Sequence, residues 1–424
     1  MPRNRDETRI YNKNKFKLGL FGMNCSGGLS LTKAPERWDA SWDNNVKAAK
    51  LADEAGLEFL LPIGRWHGYQ GESDTQGTTF ETIAWACGLL ASTREITTFG
   101  TLHVAFVNPV FAAKQMVTAD HIGHGRFGLN VVSGWNPIEF GMMGVDLGDH
   151  DGRYDYAGEW LDIVNRIWSE HTPFDFDGRH YKLKAVLGKP KPWWGSRPIL
   201  VSAGNSETGR EFAARNADCL FTTVPPQDED LRGKLNFFRD AAPPGQLRNI
   251  FASCHLMVRR TRKEAEDYHH YIVHEQGDWE AADYAFKLRG SRINTWLKAD
   301  EDKLKARLIS GAGFPCVGSY DDAVETFKRL SDAGLDGLAL GMINYVSDFP
   351  RIRDELLPRM ERAGLGCRSA ICSAGRQCVN SQACAFFRSS RLRTWQRMHG
   401  CCGTGASGIS RSRCTATSPR MSSA

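Results

Sequence analysis

Gly125-Arg126-Phe127-Gly128-Leu129-Asn130-Val131-Val132-Ser133-Gly134-Trp135-Asn136-Pro137-Ile138-Glu139 is the stretch on which the fold turns. Its first half, Phe127–Val132, is a short apolar run of the kind that makes a strand buried on both faces. The text then becomes polar, with Ser133, Gly134, Trp135, Asn136 and Glu139 crowded where the strand must end. Parallel α/β proteins bind ligands at the carboxyl ends of their strands, so this cluster is a candidate site. An ordinary strand and turn would also be polar here.

Working outward, the same pattern recurs. Residues 16–22 read as a first buried strand, followed by the loop Asn24-Cys25-Ser26-Gly27-Gly28-Leu29. Residues 42–56 form a helix stopped by Gly56, and 57–63 a second strand that ends in Gly64-Arg65-Trp66-His67-Gly68-Tyr69. A helix is predicted over 78–92, capped by Thr78 or Thr79 with Glu81 in its first turn. The third strand, 96–102, ends at His103, and Pro109 opens a helix that leads through Ile122 into the central strand.

Beyond the Trp135 loop, an amphipathic helix passes through Trp160, Ile163, Val164 and Ile167, and 178–192 is an irregular excursion. Residues 198–202, 219–224 and 250–258 add strands, 262–315 reads as a charged helical insertion, and 335–340 is the last strand. A helix over 349–363 closes the ordered body. Eight strand candidates alternating with helices, without long antiparallel runs, predict an α/β chain folded as a (β/α)8 TIM barrel with insertions.

Composition sets the bounds. The 424 residues are 41% hydrophobic and 24% charged, a globular balance, and no run approaches the length of a membrane span. The start of the chain is polar and unlike a signal peptide, so the expected location is cytoplasmic. The net charge of +5 is misleading, because residues 366–424 carry nine Arg and no Lys, Asp or Glu; +5 minus 9 leaves −4 for the rest. The basicity therefore gives no reason to expect nucleic acid. That segment, rich in Arg, Ser, Cys and Gly, predicts a disordered tail of the kind that translation in an unintended frame produces, following a domain over residues 1–365. Cys25, Cys87, Cys219, Cys254 and Cys316 are scattered without metal-ligand spacing, so no metal site is expected.

The central stretch, preceded by Ala112-Ala113-Lys114-Gln115-Met116-Val117-Thr118-Ala119-Asp120-His121-Ile122, resembles the signature of the bacterial luciferase-like flavin monooxygenases. Within that superfamily it is most similar to the branch of the pyrimidine oxygenases and dimethyl sulfone monooxygenases, over residues 17–365. The resemblance implies binding of FMN as FMNH2, reaction with O2, and a separate NAD(P)H-dependent flavin reductase. No Gly-x-Gly-x-x-Gly fingerprint follows a strand, in keeping with flavin that arrives already reduced. It also implies a homo-oligomer, dimer or tetramer, and a small-molecule substrate that is an organosulfur compound or a nitrogen heterocycle. A deazaflavin- or FMN-dependent dehydrogenase on the same barrel, or a non-catalytic flavin-binding barrel, stays open.

The residues themselves offer candidates. Ser206 stands where a helix starts and fits either a phosphate anchor or a plain N-cap. Arg153 and Tyr154 open another helix and suit a phosphate, although Arg153 suits a surface ion pair equally. Asn130 interrupts an apolar strand, and a buried amide needs partners. By resemblance, Gly64, Arg65, Asn130, Glu139, Arg153, Tyr154 and Ser206 bind the flavin; Arg65 replaces a lysine and Gly64 a larger apolar residue of the pyrimidine oxygenases. His103, Asn130 and Trp135 are the candidates at the reacting centre, with His103 equally suited to a structural role. Trp66, His67 and Tyr69 are candidates to line the substrate pocket, beside Met142.

Overall fold

In the computed structural model, residues 4–203, 206–226, 230–289 and 300–366 are described. The expected disordered tail lies, from residue 367 onward, outside the described residues. The strands in chain order are β1 (Lys17–Phe21), β2 (Phe59–Leu61), β3 (Thr97–His103), β4 (Phe127–Val132), β5 (Phe174–Asp177), β6 (Lys182–Val186), β7 (Ile199–Ala203), β8 (Cys219–Thr222), β9 (Asn249–Arg259), β10 (Phe314–Ser319) and β11 (Gly337–Gly341). Eight of them pair in parallel in the order β1-β2-β3-β4-β7-β8-β9-β11, and β11 returns to β1, which closes the barrel.

All eight strand expectations are found. Their alternation sends one set of side chains inward, where Phe59, Leu61, Phe99, Val201, Phe251 and Ala339 fill the lumen, and Ile10 plugs the amino end. The opposite set, including Leu18, Leu20, Leu129, Val131 and Leu200, packs outward in the main core.

The helices between the strands are α1 (Trp42–Ala55), α2 (Thr82–Ser92), α3 (Pro109–Ile122), α4 (Pro137–Met142), α5 (His150–Ser169), α6 (Glu207–Asn216), α7 (Leu231–Ala241), α8 (Arg262–His270), α9 (Trp279–Arg289), α10 (Glu301–Ser310) and α11 (Tyr320–Asp332). α2 starts later than the sequence predicts, with Glu81 as its cap. The backbone at Thr78 and Phe80 is occupied by the β1 loop, since Ser26 N–H donates to Thr78 O and Phe80 N–H to Asn24 O. The excursion read as irregular holds the antiparallel hairpin β5–β6.

β10 was not expected. It pairs along the upper half of β9, Cys254–Arg259, on the side that β8 leaves after pairing Asn249–Ala252. In its described residues, 262–289 and 300–310, the insertion is helical as read, and it packs on the β1 loop. Leu31 N–H donates to Ile309 O at 3.1 Å, Lys33 N–H to Gln276 O at 2.7 Å, and Asp278 N–H to Leu31 O at 2.9 Å, which ties the β1 loop to α9 and α10.

Candidate active site at the carboxyl ends of the strands

Two clusters gather at the mouth. The first joins the exits of β2 and β4. Asn136 caps α4 through a bond from Ile138 N–H, and this short helix delivers Glu139 into the interior. Glu139 Oε1 accepts from the backbone N–H of Trp66 (2.9 Å) and His67 (3.2 Å) and lies 3.4 Å from Arg65 Nη1. Its Oε2 is buried with no hydrogen-bond partner among the described residues.

Arg65 is committed on every side. Nε donates to Gln76 Oε1 at 2.9 Å, Nη2 donates to the Tyr69 hydroxyl at 3.2 Å, and the guanidinium stands 5.2 Å from the ring centres of both Tyr69 and Trp135. Tyr69 is buried and also accepts from Arg289 Nη2 at 2.7 Å, so it is a buried member of this network. His67 Nε2 shares a 2.8 Å hydrogen bond with the Tyr284 hydroxyl of α9. Trp66 is 47% exposed and Met142 57%, so both stand at the open rim.

His103 and Asn130 form the floor. Asn130 lies beside Thr101 and Val201 in the sheet; its Nδ2 donates to Thr101 Oγ1 at 3.2 Å, and Thr101 Oγ1 donates onward to Pro62 O at 2.6 Å. This fixes the amide so that Oδ1 is left buried without a partner among the described residues. His103 stacks on Phe106 with ring centres 5.1 Å apart. Burial pushes its pKa down to about 4, so the imidazole is neutral at ordinary pH. Gly64 lies close beside it, so that a methyl there would stand 3.1 Å from both His103 Cε1 and Thr101 Cγ2 and would crowd them.

The second cluster lies one strand further round, past the exit of β7. Ser206 caps α6 by accepting from Gly209 N–H at 3.1 Å. Tyr154, near the start of α5, brings its hydroxyl so close to Gly209 that a methyl at that position would meet it at 2.4 Å. Thr208 Oγ1 donates to Asp151 Oδ1 at 2.8 Å, which locks the two helix starts together. Arg153 Nη1 donates to the carbonyls of Leu147 (3.3 Å) and Gly148 (3.1 Å), so its guanidinium braces the turn before α5.

The structure thus brings together Gly64, Arg65, Trp66, His67, Tyr69, Trp135 and Glu139 in one cluster, His103 and Asn130 beside it, and Tyr154 with Ser206 in the other. Gln76, Thr101, Tyr284 and Arg289 are participants that the sequence did not reveal. Of these, only Thr101, inside β3 and two residues before His103, carried a positional signal.

An eight-stranded parallel barrel whose carboxyl end collects buried polar side chains and a capped helix start belongs to the class of barrels that carry their sites at that end. A family model described as luciferase-like monooxygenase matches residues 16–337. The chain belongs to this family. It is 28% identical to an FMNH2-dependent dimethylsulfone monooxygenase of Pseudomonas fluorescens (strain Pf0-1) over 368 residues, 84% of this chain and 97% of that protein. It is 26% identical to the pyrimidine monooxygenase RutA of Acinetobacter baylyi (strain ATCC 33305 / BD413 / ADP1) over 357 residues, covering 81% and 94%. The crystal structure of a riboflavin lyase (RcaE) superposes with a TM-score of 0.74 at 20% identity, over 84% of this chain and 93% of that one, and shares the fold.

Proposed function

We propose that the chain is the oxygenating component of a two-component monooxygenase, which binds FMNH2 at the barrel mouth and transfers one oxygen atom from O2 to a small organosulfur compound or nitrogen heterocycle. The observation that carries this reading is a matched pair of features on neighbouring strands. The α6 start with Ser206, Gly209 and Tyr154 suits a phosphate, and the buried Asn130 Oδ1, without a partner among the described residues, suits an N–H of a flat heterocycle. When bound, reduced flavin supplies the electrons that activate oxygen.

The protein's own contributions follow from the geometry. The capped helix start receives the phosphate without any side-chain charge having to move. Asn130, clamped by Thr101, holds its carbonyl ready to accept. His103 is neutral and offers one donor and one acceptor beside an aromatic wall of Phe106 and Phe140. The cap formed by the β1 and β2 loops and α9 limits water at the mouth. A separate reductase supplies FMNH2, and residues 1–365 carry the activity.

Single-turnover incubation with photoreduced FMN, with and without oxygen, against sulfones, sulfonates and nitrogen heterocycles tests the proposal. Product that requires oxygen and retains one of its atoms is the expected outcome. An anaerobic arm with oxidised FMN in which the substrate is oxidised as the flavin is reduced, and no oxygen-dependent product in the other arm, would replace the oxygenase with a dehydrogenase.

A further inference from the structure

Tyr69 is fully enclosed, yet its hydroxyl faces two guanidinium groups. Arg289 Nη2 from α9 lies at 2.7 Å and Arg65 Nη2 from the β2 exit at 3.2 Å, and both can only donate. Among the described residues no acceptor lies within hydrogen-bond reach of the phenol's own proton. The other ionisable groups around it are committed elsewhere. Asp278 accepts from the N–H groups of Ser73 and Ala281, Glu139 Oε1 is bound to Trp66 and His67 N–H, and His67 is bonded to Tyr284. The wall behind is the apolar cluster of Leu31, Val273, Ala281, Ala282 and Ala285.

Arg65 is buried and Arg289 half-buried, so two guanidinium groups meet at this hydroxyl, while the buried carboxylates of Glu139 and Asp278 accept from backbone N–H groups and not from the phenol; a charge in such a space is costly without a partner.

We infer that Tyr69 is held as a phenolate, the second counter-charge of an array Arg289–Tyr69–Arg65–Glu139 that fixes the Glu139 carboxylate at the barrel mouth. The released proton goes to solvent, and the array becomes neutral. Burial alone would raise the phenol's pKa, but Arg289 and Arg65 outweigh it and lower it. Tyr11, Tyr181, Tyr268, Tyr271, Tyr320 and Tyr345 are all raised instead, so Tyr69 stands apart from them. As a positioning residue, Tyr69 holds Arg65 between its own ring and that of Trp135 and thereby orients Glu139 Oε2. This last step rests on the flavin reading above.

Ultraviolet difference titration of the full chain tests the ionisation without any flavin. Wild type is expected to show the tyrosinate band of one residue below the pH at which tyrosine ordinarily ionises, about 10. Tyr69→Phe should lack that band, and Arg289→Gln should move its onset upward by roughly one pH unit or more. A wild-type curve in which no tyrosine ionises before about pH 10 overturns the inference, and it does so even where a variant fails to fold. Anaerobic titration with FMNH2 then separates the two readings. Weaker binding by both variants supports the positioning role, whereas wild type that shows the band but binds no FMNH2 refutes the flavin reading alone.

Discussion

Arg65 and Glu139 face each other at 3.4 Å with their side chains only 6% and 1% exposed, and the pair joins the exit of β2 to the helix after β4. An ion pair this deep is costly to break from one side. Glu139→Ala leaves the guanidinium buried against Tyr69 and strips the Trp66 and His67 N–H groups of their acceptor. A loss of about 3–5 kcal/mol in urea unfolding is expected. Glu139→Gln keeps an acceptor oxygen and should lose less.

Asn130 makes the opposite case. Its Oδ1 has no partner among the described residues, and Thr101 keeps its bond to Pro62 without it. Asn130→Leu should therefore leave the unfolding midpoint unchanged or slightly raised. FMNH2 affinity, measured by anaerobic calorimetry, should fall by about tenfold or more, in line with about 1.4 kcal/mol for one lost hydrogen bond. Unchanged affinity would remove Asn130 from the flavin site.

Gly209→Ala separates folding from binding in the same way. Alanine is the better helix former by about 1 kcal/mol, but its methyl would stand 2.4 Å from the Tyr154 hydroxyl. Stability should hold or change little, while FMNH2 binding weakens by about tenfold, or 1.4 kcal/mol. Titration of the variant with FMNH2 beside its thermal melt reads both quantities.

His103 and His255 give the protein an acid-sensitive side. Burial lowers their pKa values to about 4 and about 3, whereas an unfolded histidine titrates near 6.5. Between these values the unfolded chain binds the extra proton, so the stabilisation present above pH 6.5 is lost as the pH falls toward 4. The loss for His103 alone is on the order of 3 kcal/mol. Urea midpoints should drop between pH 7 and pH 5, and the drop should be smaller in His103→Asn.

The barrel was legible because its eight strands are apolar runs that end in glycine or polar residues, and their burial leaves that mark in the text. β10 was not, because Pro315 and Gly318 argue against a strand, and it forms only where β9 outlasts β8. The hairpin β5–β6 was hidden by its exposed Asp and Lys residues, and α4 by its six-residue length. In the candidate site, Asn130 stood out because it interrupts an apolar strand, and Glu139 because it falls in the polar run that follows that strand. Arg289 could not, since it reaches Tyr69 across 220 residues of sequence. Tyr69 itself was read as pocket lining, and only the position of α9 shows it enclosed by two arginines.

The most direct test of the account is stopped-flow mixing of oxygenated buffer with photoreduced FMN and excess protein. If the mouth holds FMNH2, flavin reoxidation will proceed at a rate set by the protein and distinct from that of free FMNH2, and it will revert toward the free rate in Gly209→Ala and Asn130→Leu. Reoxidation that matches the protein-free control at every protein concentration would contradict the account at its centre.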